Sequence, residues 1–240
     1  MCVPSRLVLV FRWFLLLSVA LLLWGSEVKA DPVCVPGTLQ SYVNNYQTSG
    51  CQVGNLVFSG FQYSGTASNA PAVSAANIMV SANGLSGITF ASSGWSVAGF
   101  GLLTSTITFT VSADSGAWLL NSTTLFMDTA TPIAPGSAVA NQYVCVSGSL
   151  SDSCSTGTLV QLLTFHFGQS WSLTSSSQFP SANQANVQID LRLEANSASA
   201  DISSLSSSFG LAPVPEPATF ILVASGLFGL SLSWRRRSRT

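Results

Sequence analysis

Hydrophobic and polar side chains alternate with a period of two along several stretches of this sequence. In residues 187–195 (VQIDLRLEA), every second residue is apolar and polar or charged residues fill the positions between them. Residues 159–167 (LVQLLTFHF) place Leu159, Leu163, Phe165 and Phe167 on one face. Because successive side chains of a strand point to opposite faces, this alternation predicts β-strands.

Further strands are predicted wherever short apolar runs are separated by clusters of Gly, Asn, Asp, Ser and Pro. These runs are residues 55–63, 87–91, 105–111, 118–127 and 138–146. One short helix is predicted at residues 39–46. Many short strands at this spacing predict an all-β fold, an antiparallel β-sandwich or a jelly roll.

The first 30 residues have the composition of a signal peptide. Arg6 and Arg12 provide a positive start, residues 13–24 are almost wholly apolar, and small residues precede a cleavage site after Ala30. The alternative is a retained N-terminal membrane helix, for which this apolar run is short. We therefore expect signal peptidase to remove residues 1–30.

The other end of the chain has the pattern of a single membrane span. Residues 218–234 are apolar or small, and at about 1.5 Å per residue they reach roughly 25 Å, enough for a short transmembrane helix. The basic residues that follow directly are Arg235, Arg236, Arg237 and Arg239. By the positive-inside rule they act as a stop-transfer signal and stay cytoplasmic, which leaves the preceding residues outside.

Val214, Pro215, Glu216 and Pro217 stand immediately before this span. The two prolines hold the backbone extended and remove two amide donors, which makes a rigid strip beside the membrane. A Val-Pro-Glu-Pro motif, a short helix with glycines and an arginine cluster together resemble the PEP-CTERM sorting signal of Gram-negative bacteria. An ordinary tail anchor that contains a chance pair of prolines is the alternative.

The resemblance implies a route through the cell envelope. A membrane-embedded exosortase cuts near the motif in that family and releases or transfers the ectodomain. The expected path is thus a single-pass inner-membrane intermediate with the ectodomain outside, and then the cell surface or the extracellular space. Residues 34–63 strengthen the resemblance, because Leu-x-x-Tyr, Gly-Cys-x-x-Gly and a Phe-rich strand are similar to the opening of many PEP-CTERM ectodomains.

The sequence is therefore expected to divide into three parts. Residues 1–30 form the signal peptide, residues 31–213 the exported all-β domain, and residues 214–240 the sorting signal. The sorting signal consists of the motif at 214–217, the transmembrane helix at 218–234 and the Arg-rich cytoplasmic tail at 235–240.

The charge of the exported domain restricts its partners. Arg192 is the one Lys or Arg in residues 31–213, against seven carboxylates, so the net charge is −6. The carboxylates are Asp31, Asp114, Asp128, Asp152, Asp190, Glu194 and Asp201. With so few cations to neutralise phosphates, the domain is predicted not to bind nucleic acid.

Four cysteines remain in the exported domain, and an even number in an exported chain predicts disulfides. Three pairings are possible. We favour Cys34–Cys51 and Cys145–Cys154, because each closes a short loop and residues 147–153 (SGSLSDS) are typical of a turn. The competing interpretation is a metal site, but no CxxC spacing is present, so neither a metal nor a cofactor is predicted.

No catalytic residue is predicted, and the chain is not expected to be an enzyme. His166 is the one histidine, and its place in a strand is typical of a half-exposed sheet residue. Asp190 and Glu194 share a strand face, as a glycosidase pair requires, but Arg192 lies between them. That arrangement favours a ladder of surface charges.

Two hypotheses of function follow. The first is a non-catalytic surface or extracellular-matrix protein associated with exopolysaccharide in a biofilm. The second is a carbohydrate-binding module that presents aromatic side chains to a sugar. A planar row of exposed aromatic residues favours the module and their burial favours the first hypothesis; the candidates are Trp95, Trp118, Trp171, Tyr42, Tyr46, Tyr63 and Tyr143.

Overall fold

A computed structural model of the chain describes residues 31–114, 116–128 and 135–214. Within these ranges the chain forms β-strands, one short α-helix and two 3-10 turns, so the all-β prediction is confirmed. The predicted signal peptide, transmembrane helix and arginine tail lie outside the described residues. Among the residues that the structure describes, no helix has the length and apolar character of a membrane span.

The elements follow one another along the chain with short connections. The helix α1 is Leu39–Asn45. The strands are β1 Gly37–Thr38, β2 Cys51–Val53, β3 Leu56–Ser68, β4 Met79–Asn83, β5 Gly87–Ala91, β6 Ser96–Gly99, β7 Leu102–Ala113, β8 Trp118–Asp128, β9 Ser137–Val146, β10 Thr158–Phe167, β11 Ser170–Ser172, β12 Thr174–Ala182, β13 Gln184–Glu194, β14 Ala198–Asp201 and β15 Ser204–Pro213.

These strands form two main antiparallel sheets. Sheet 1 has seven strands in the order β11-β10-β9-β13-β7-β3-β2, and sheet 2 has six in the order β1-β4-β5-β15-β8-β12. Strands β6 and β14 form a separate two-stranded ribbon. Every pairing between these strands is antiparallel, and one apolar core joins the two main sheets, as in a β-sandwich.

Phe109 of β7 is at the centre of the core. Its ring centroid lies 6.0 and 5.8 Å from those of Phe58 and Phe61 in β3, within the same sheet. From sheet 2, the rings of Phe90 and Phe209 approach Phe109 to 5.9 and 6.5 Å. Burial of each such side chain contributes roughly 1.5–3 kcal/mol, so the packing of this cluster is a main source of the stability with which the two sheets are held together.

The predicted helix is present at one end of the core. The Thr38 side chain caps it by accepting a hydrogen bond from the Ser41 amide at 3.2 Å. Leu39 and Tyr42 are buried, and the Tyr42 ring packs edge-on against Phe61 at 5.1 Å. The helix ends at Asn45, one residue earlier than the prediction.

Each run that was predicted to be a strand is a strand; the ends of β5 are as predicted, and those of the others differ by a few residues. The alternation missed others, of which β15 is the most important. Its serine-rich sequence (SLSSSFGLAP) has no β-branched residue and one aromatic residue, yet β15 lies between β5 and β8, and Ser206 and Ser207 are buried there. Pairing on both sides satisfies its backbone, which local propensity does not reveal.

The structure also decides which face of β10 is buried. Val160, Leu162 and Thr164 face the core, whereas Leu159 and Leu163 are 50% and 45% exposed. The predicted apolar face of residues 159–167 is therefore the outer face of sheet 1. The alternation correctly grouped the side chains into faces, but it carries no information about which face points inward.

Candidate functional site

The folded domain continues up to the first residue of the predicted sorting motif. At the end of β15, Pro213 pairs with Trp118, and the Val214 amide donates to the Ala117 carbonyl at 2.9 Å. Val214 is thus tied to the end of sheet 2. The rest of the motif, Pro215 to Pro217, and the stop-transfer arginines lie outside the described residues.

Both local cysteine pairs are disulfide-bonded in the structure. Cys34–Cys51 has a Cα–Cα distance of 4.8 Å and attaches the start of the domain to β2. Cys145–Cys154 has a Cα–Cα distance of 5.5 Å and closes the connection between β9 and β10. The first bond therefore lies at an edge of sheet 1 and the second at the end of strands β9 and β10, and they leave no thiol in the described part of the chain.

Most of the candidate sugar-binding aromatic residues are structural. Trp95 is 0% exposed and donates from its indole nitrogen to Ser105 at 3.2 Å. Tyr42 donates to the Val35 carbonyl at 2.8 Å; burial, with a smaller contribution from Tyr46, raises its pKa to about 12. These side chains fill the core or its margins and cannot stack on a ligand.

The other candidates do not form a planar row. Tyr63 is half-buried and donates to the Val73 carbonyl at 2.7 Å; burial raises the pKa of its phenol. Tyr46, Trp118 and Tyr143 are half-buried as well. Trp171, in the short strand β11, is 62% exposed.

His166 is a half-buried sheet residue, as predicted, and it shares a face with Leu162 and Thr164. Its ring lies edge-on to Trp171, with centroids 5.9 Å apart. Its Nδ1 atom is buried without a hydrogen-bond partner among the described residues. Neither a serine nor a carboxylate is hydrogen-bonded to it there, so the described geometry contains no Ser-His-Asp triad.

The carboxylates of β13 form a ladder on the outer face of sheet 1. Glu194 is paired with Arg192 at 2.9 Å. Asp190 accepts hydrogen bonds from Thr106 and Gln188, each at 2.8 Å. Both acids are thus held by neighbours on the same face, and nowhere in the described ranges do three His, Cys, Asp or Glu side chains come together as metal ligands.

The outer face of sheet 1 brings together side chains that are far apart in sequence. Tyr143 in β9 lies directly opposite Gln161 in β10 and directly opposite Gln188 in β13. The row continues through Thr108 in β7 to Gln62 in β3. We call the surface formed by Gln161, Tyr143, Gln188, Thr108 and Gln62 the platform row.

A polar cleft of about 370 Å³ opens close to this row, where the connection between β9 and β10 meets β13. Ser147, Gly148, Ser149, Thr156, Asn183, Gln184 and Asn186 line it. Asn186 is hydrogen-bonded through its side chain to the Gly148 carbonyl and the Thr110 hydroxyl, the latter at 2.8 Å. The lining offers neutral donors and acceptors and no charge.

The platform row is not predicted by the sequence, although Tyr143 is among the candidate aromatic residues. Gln161 and Gln188 occupy strands that are distant in sequence, and the order β10-β9-β13 that places them beside Tyr143 depends on long-range pairing. The one signal in the sequence is that all three lie at alternating positions within predicted strands. That signal is shared by many surface residues.

Comparison with solved structures finds several carbohydrate-binding modules. The module TmCBM61, solved with β-1,4-galactotriose, is 10% identical over 64% of this chain and 88% of its own, with a TM-score of 0.29. The module CsCBM6-3 of Clostridium stercorarium, solved with cellobiose, is 11% identical over 70% of this chain and 99% of its own, with a TM-score of 0.25. Such low TM-scores give no basis for transferring a ligand.

Comparison with curated proteins finds no match. A protein-family model described as the PEP-CTERM protein-sorting motif matches residues 213–237. The match begins at the last residue of β15 and contains the Val-Pro-Glu-Pro motif, the apolar run and three of the arginines. The chain therefore carries a PEP-CTERM protein-sorting motif directly after its folded β-domain, as is consistent with a PEP-CTERM domain-containing protein.

Proposed function

We propose that this chain is an exported surface or extracellular-matrix protein that an exosortase-type system sorts and whose domain acts without catalysis, in association with exopolysaccharide. The observation that carries the proposal is the sorting motif at residues 213–237, which starts where β15 ends. The burial of Trp95 and Tyr42 supports a structural domain over a module with an aromatic row.

The proposed route uses each part of the chain in turn. Signal peptidase removes residues 1–30, and the domain folds outside the inner membrane. Residues 218–234 then hold it as a single-pass intermediate, with the arginines of residues 235–240 in the cytoplasm. The exosortase acts near Pro215–Glu216–Pro217 and delivers the domain to the surface or the exterior.

The experiment is to replace Pro215 and Pro217 by Ala in native cells and to follow the domain by fractionation and mass spectrometry. We expect export to continue while the domain stays in the membrane fraction with its tail attached. Pro180→Ala, at an exposed proline of β12, is the matched control and should be sorted normally. Normal release of the double variant would contradict the proposal.

A second variant tests the topology separately. Deletion of residues 235–237 removes most of the stop-transfer charge, so retention in the membrane during export should be impaired. Quantities of the full-length and processed forms in the membrane fraction measure this loss. Unchanged retention would show that the arginines are not needed to hold the intermediate.

A second candidate function is the binding of a neutral polysaccharide by the platform row and the adjacent cleft. Half-buried Tyr143 lies between two amide side chains on the outer face of sheet 1, and such a combination can stack on a sugar ring and bond its hydroxyls. The net charge of −6 in residues 31–213 opposes acidic polymers, which favours a neutral one.

This second candidate is tested by affinity electrophoresis in gels that contain soluble neutral polysaccharides, such as hydroxyethylcellulose and galactomannan. If the platform row binds, wild-type migration is retarded and Tyr143→Ala reduces the retardation about tenfold or more. Trp171→Ala, a variant of an exposed aromatic residue outside the row, should still be retarded. If retardation is lost in Trp171→Ala but kept in Tyr143→Ala, the platform row is not the binding surface.

A further inference from the structure

Most edges of the two sheets carry features that prevent pairing with another chain. At the outer edge of sheet 2, β12 contains Pro180 and an irregular register between Gln178 and Ala182. At the other edge, β1 has two residues. In sheet 1, β2 has three residues and is bonded to the start of the domain through the Cys34–Cys51 disulfide. Such devices block the unpaired backbone of an edge strand.

The exposed edge of β3 is protected as well. Beyond the residues that pair with β2, a bulge interrupts β3 between Ser59 and Gln62, and Gly60 adopts a φ of 66° there. Further along, the phenol of Tyr63, on the core face of β3, donates to the Val73 carbonyl, so the segment that contains Val73 packs over that face.

The edge of β10 has no proline, bulge or disulfide, and β12 of sheet 2 packs close to it without hydrogen bonding to it. Among the described strands, β11 pairs with β10 at Phe165 to Phe167, and residues 158–164 have no backbone partner on the side away from β9. This stretch has no proline, no glycine and no charged residue. It pairs with β9 in a regular register throughout. This part of β10 is therefore an uncharged edge of seven residues in regular register, four of them apolar, and two of these, Leu159 and Leu163, are exposed to solvent.

The sequence of this edge is chemically palindromic. Residues 158–164 read Thr-Leu-Val-Gln-Leu-Leu-Thr, with Gln161 at the centre. If two copies pair antiparallel about Gln161, each Leu159 lies opposite a Leu163 on the outer face. On the core side each Val160 lies opposite a Leu162, and the threonines meet at the two ends.

We propose that the occupant of this edge is a second copy of the same chain, paired antiparallel through residues 158–164 about a two-fold axis at Gln161. An isologous contact requires a self-complementary surface, which the palindrome supplies. The absence of charge from this edge matters because the exported domain has a net charge of −6, which opposes contact between copies elsewhere.

The pairing would join sheet 1 of both copies into one continuous sheet. Backbone hydrogen bonds along seven residues would supply the affinity, and the leucine pairs would set the register. A contact of this size belongs to the small and weak class of interfaces. It becomes effective where many copies are held close together, as on a cell surface.

Cysteine cross-linking of the full chain tests both contact and register. The chain is expressed from residue 1 in exporting Gram-negative cells, and dimers are measured on non-reducing gels. In Gln161→Cys the two new cysteines face each other across the two-fold axis within reach of a disulfide. Most of the protein should therefore run as a covalent dimer. In Leu163→Cys they are offset by four residues, roughly 13 Å along the strands, so no dimer should form.

Two comparisons serve as controls: a cysteine on the edge strand of the other sheet, and the Gln161 variant against the Leu163 variant. Ser176→Cys places an exposed cysteine on the other edge strand, β12, and should give no dimer. Equal dimer formation by the Gln161 and Leu163 variants would overturn the proposed register, and failure of Gln161→Cys to form a dimer would overturn the proposal.

Sedimentation of protein purified from the same cells gives a second readout that needs no new cysteine. The wild-type protein should show reversible dimerisation in the micromolar range. Gln161→Glu places two carboxylates face to face and should weaken the dimer about tenfold or more, whereas Gln161→Asn should weaken it far less. A wild-type protein that stays monomeric throughout this range, or equal behaviour of the two variants, would contradict the proposal.

Discussion

The indole nitrogen of Trp95 donates a hydrogen bond to the hydroxyl oxygen of Ser105 at 3.2 Å, and both side chains are buried. The same hydroxyl lies 3.1 Å from the hydroxyl of Tyr63, which also reaches the Val73 carbonyl. One small side chain on the core face of β7 therefore satisfies the largest buried aromatic residue and holds a second aromatic residue in place.

Ser105→Ala should destabilise the domain by about 1–3 kcal/mol, because it leaves the Trp95 N–H group buried without an acceptor. Urea denaturation followed by tryptophan fluorescence measures this change in the free energy of unfolding. Ser176→Ala, at an exposed position of β12, is the control and should change the free energy by less than about 0.5 kcal/mol. Equal effects of the two variants would show that the bond does not matter.

Each disulfide should stabilise the exported domain by about 3 kcal/mol on the chain-entropy account. The sequence separations are 17 for Cys34–Cys51 and 9 for Cys145–Cys154, so removal of the first pair should cost slightly more. Paired Cys→Ser variants in denaturant titrations test the order. Free thiols in the denatured, unreduced domain would show that the two bonds do not form in solution.

Tyr42 should make the domain sensitive to alkali. Its pKa is raised to about 12 because it is buried, whereas the same phenol in the unfolded chain titrates near 10. The unfolded state therefore loses its proton first, and stability should fall as the pH rises from about 10 to about 12. Unfolding measured by circular dichroism across this range should be shallower in Tyr42→Phe, and an identical profile would contradict the assignment.

The exported domain should resist acid. Residues 31–213 contain a single Lys or Arg, Arg192, so repulsion between positive charges stays small as the carboxylates protonate. Burial raises the pKa of Asp201, and a raised carboxyl pKa favours the folded state more as the pH falls.

Circular dichroism of residues 31–213 between pH 7 and pH 2, with disulfides intact, measures this resistance. We expect the β signal to persist below pH 3, with precipitation near pH 4 as the main failure, because the net charge there is small. Asp201→Asn should stabilise the domain slightly at pH 7 and have no effect at pH 3. A cooperative loss of the β signal above pH 3 would show that specific carboxylate contacts control the fold.

The sequence predicts only part of the chemistry of the candidate site. Asp190, Arg192 and Glu194 could be grouped as a surface ladder because all three belong to one strand. The neighbours that bind them, such as Thr106 of β7, come from strands that are distant in sequence. The burial of Trp95 could not be predicted from the sequence either, because a tryptophan between glycine and serine in a segment without alternation can be buried or exposed.

The sequence by itself determined the class of fold and the sorting motif. Alternation in stretches such as residues 187–195 is a local property, because side chains of a strand point to opposite faces whatever surrounds it. The motif at residues 213–237 is likewise read from a contiguous run.

Only the tertiary structure decided which faces are buried and which strands are neighbours. Residues 159–167 have apolar residues on both faces, so their orientation depended on the packing of β10 beside β9 and over the core. The serine-rich β15 became a central strand because its neighbours β5 and β8 supply hydrogen bonds and burial. Burial and pairing depend on partners that are remote along the chain, and a local pattern cannot specify them.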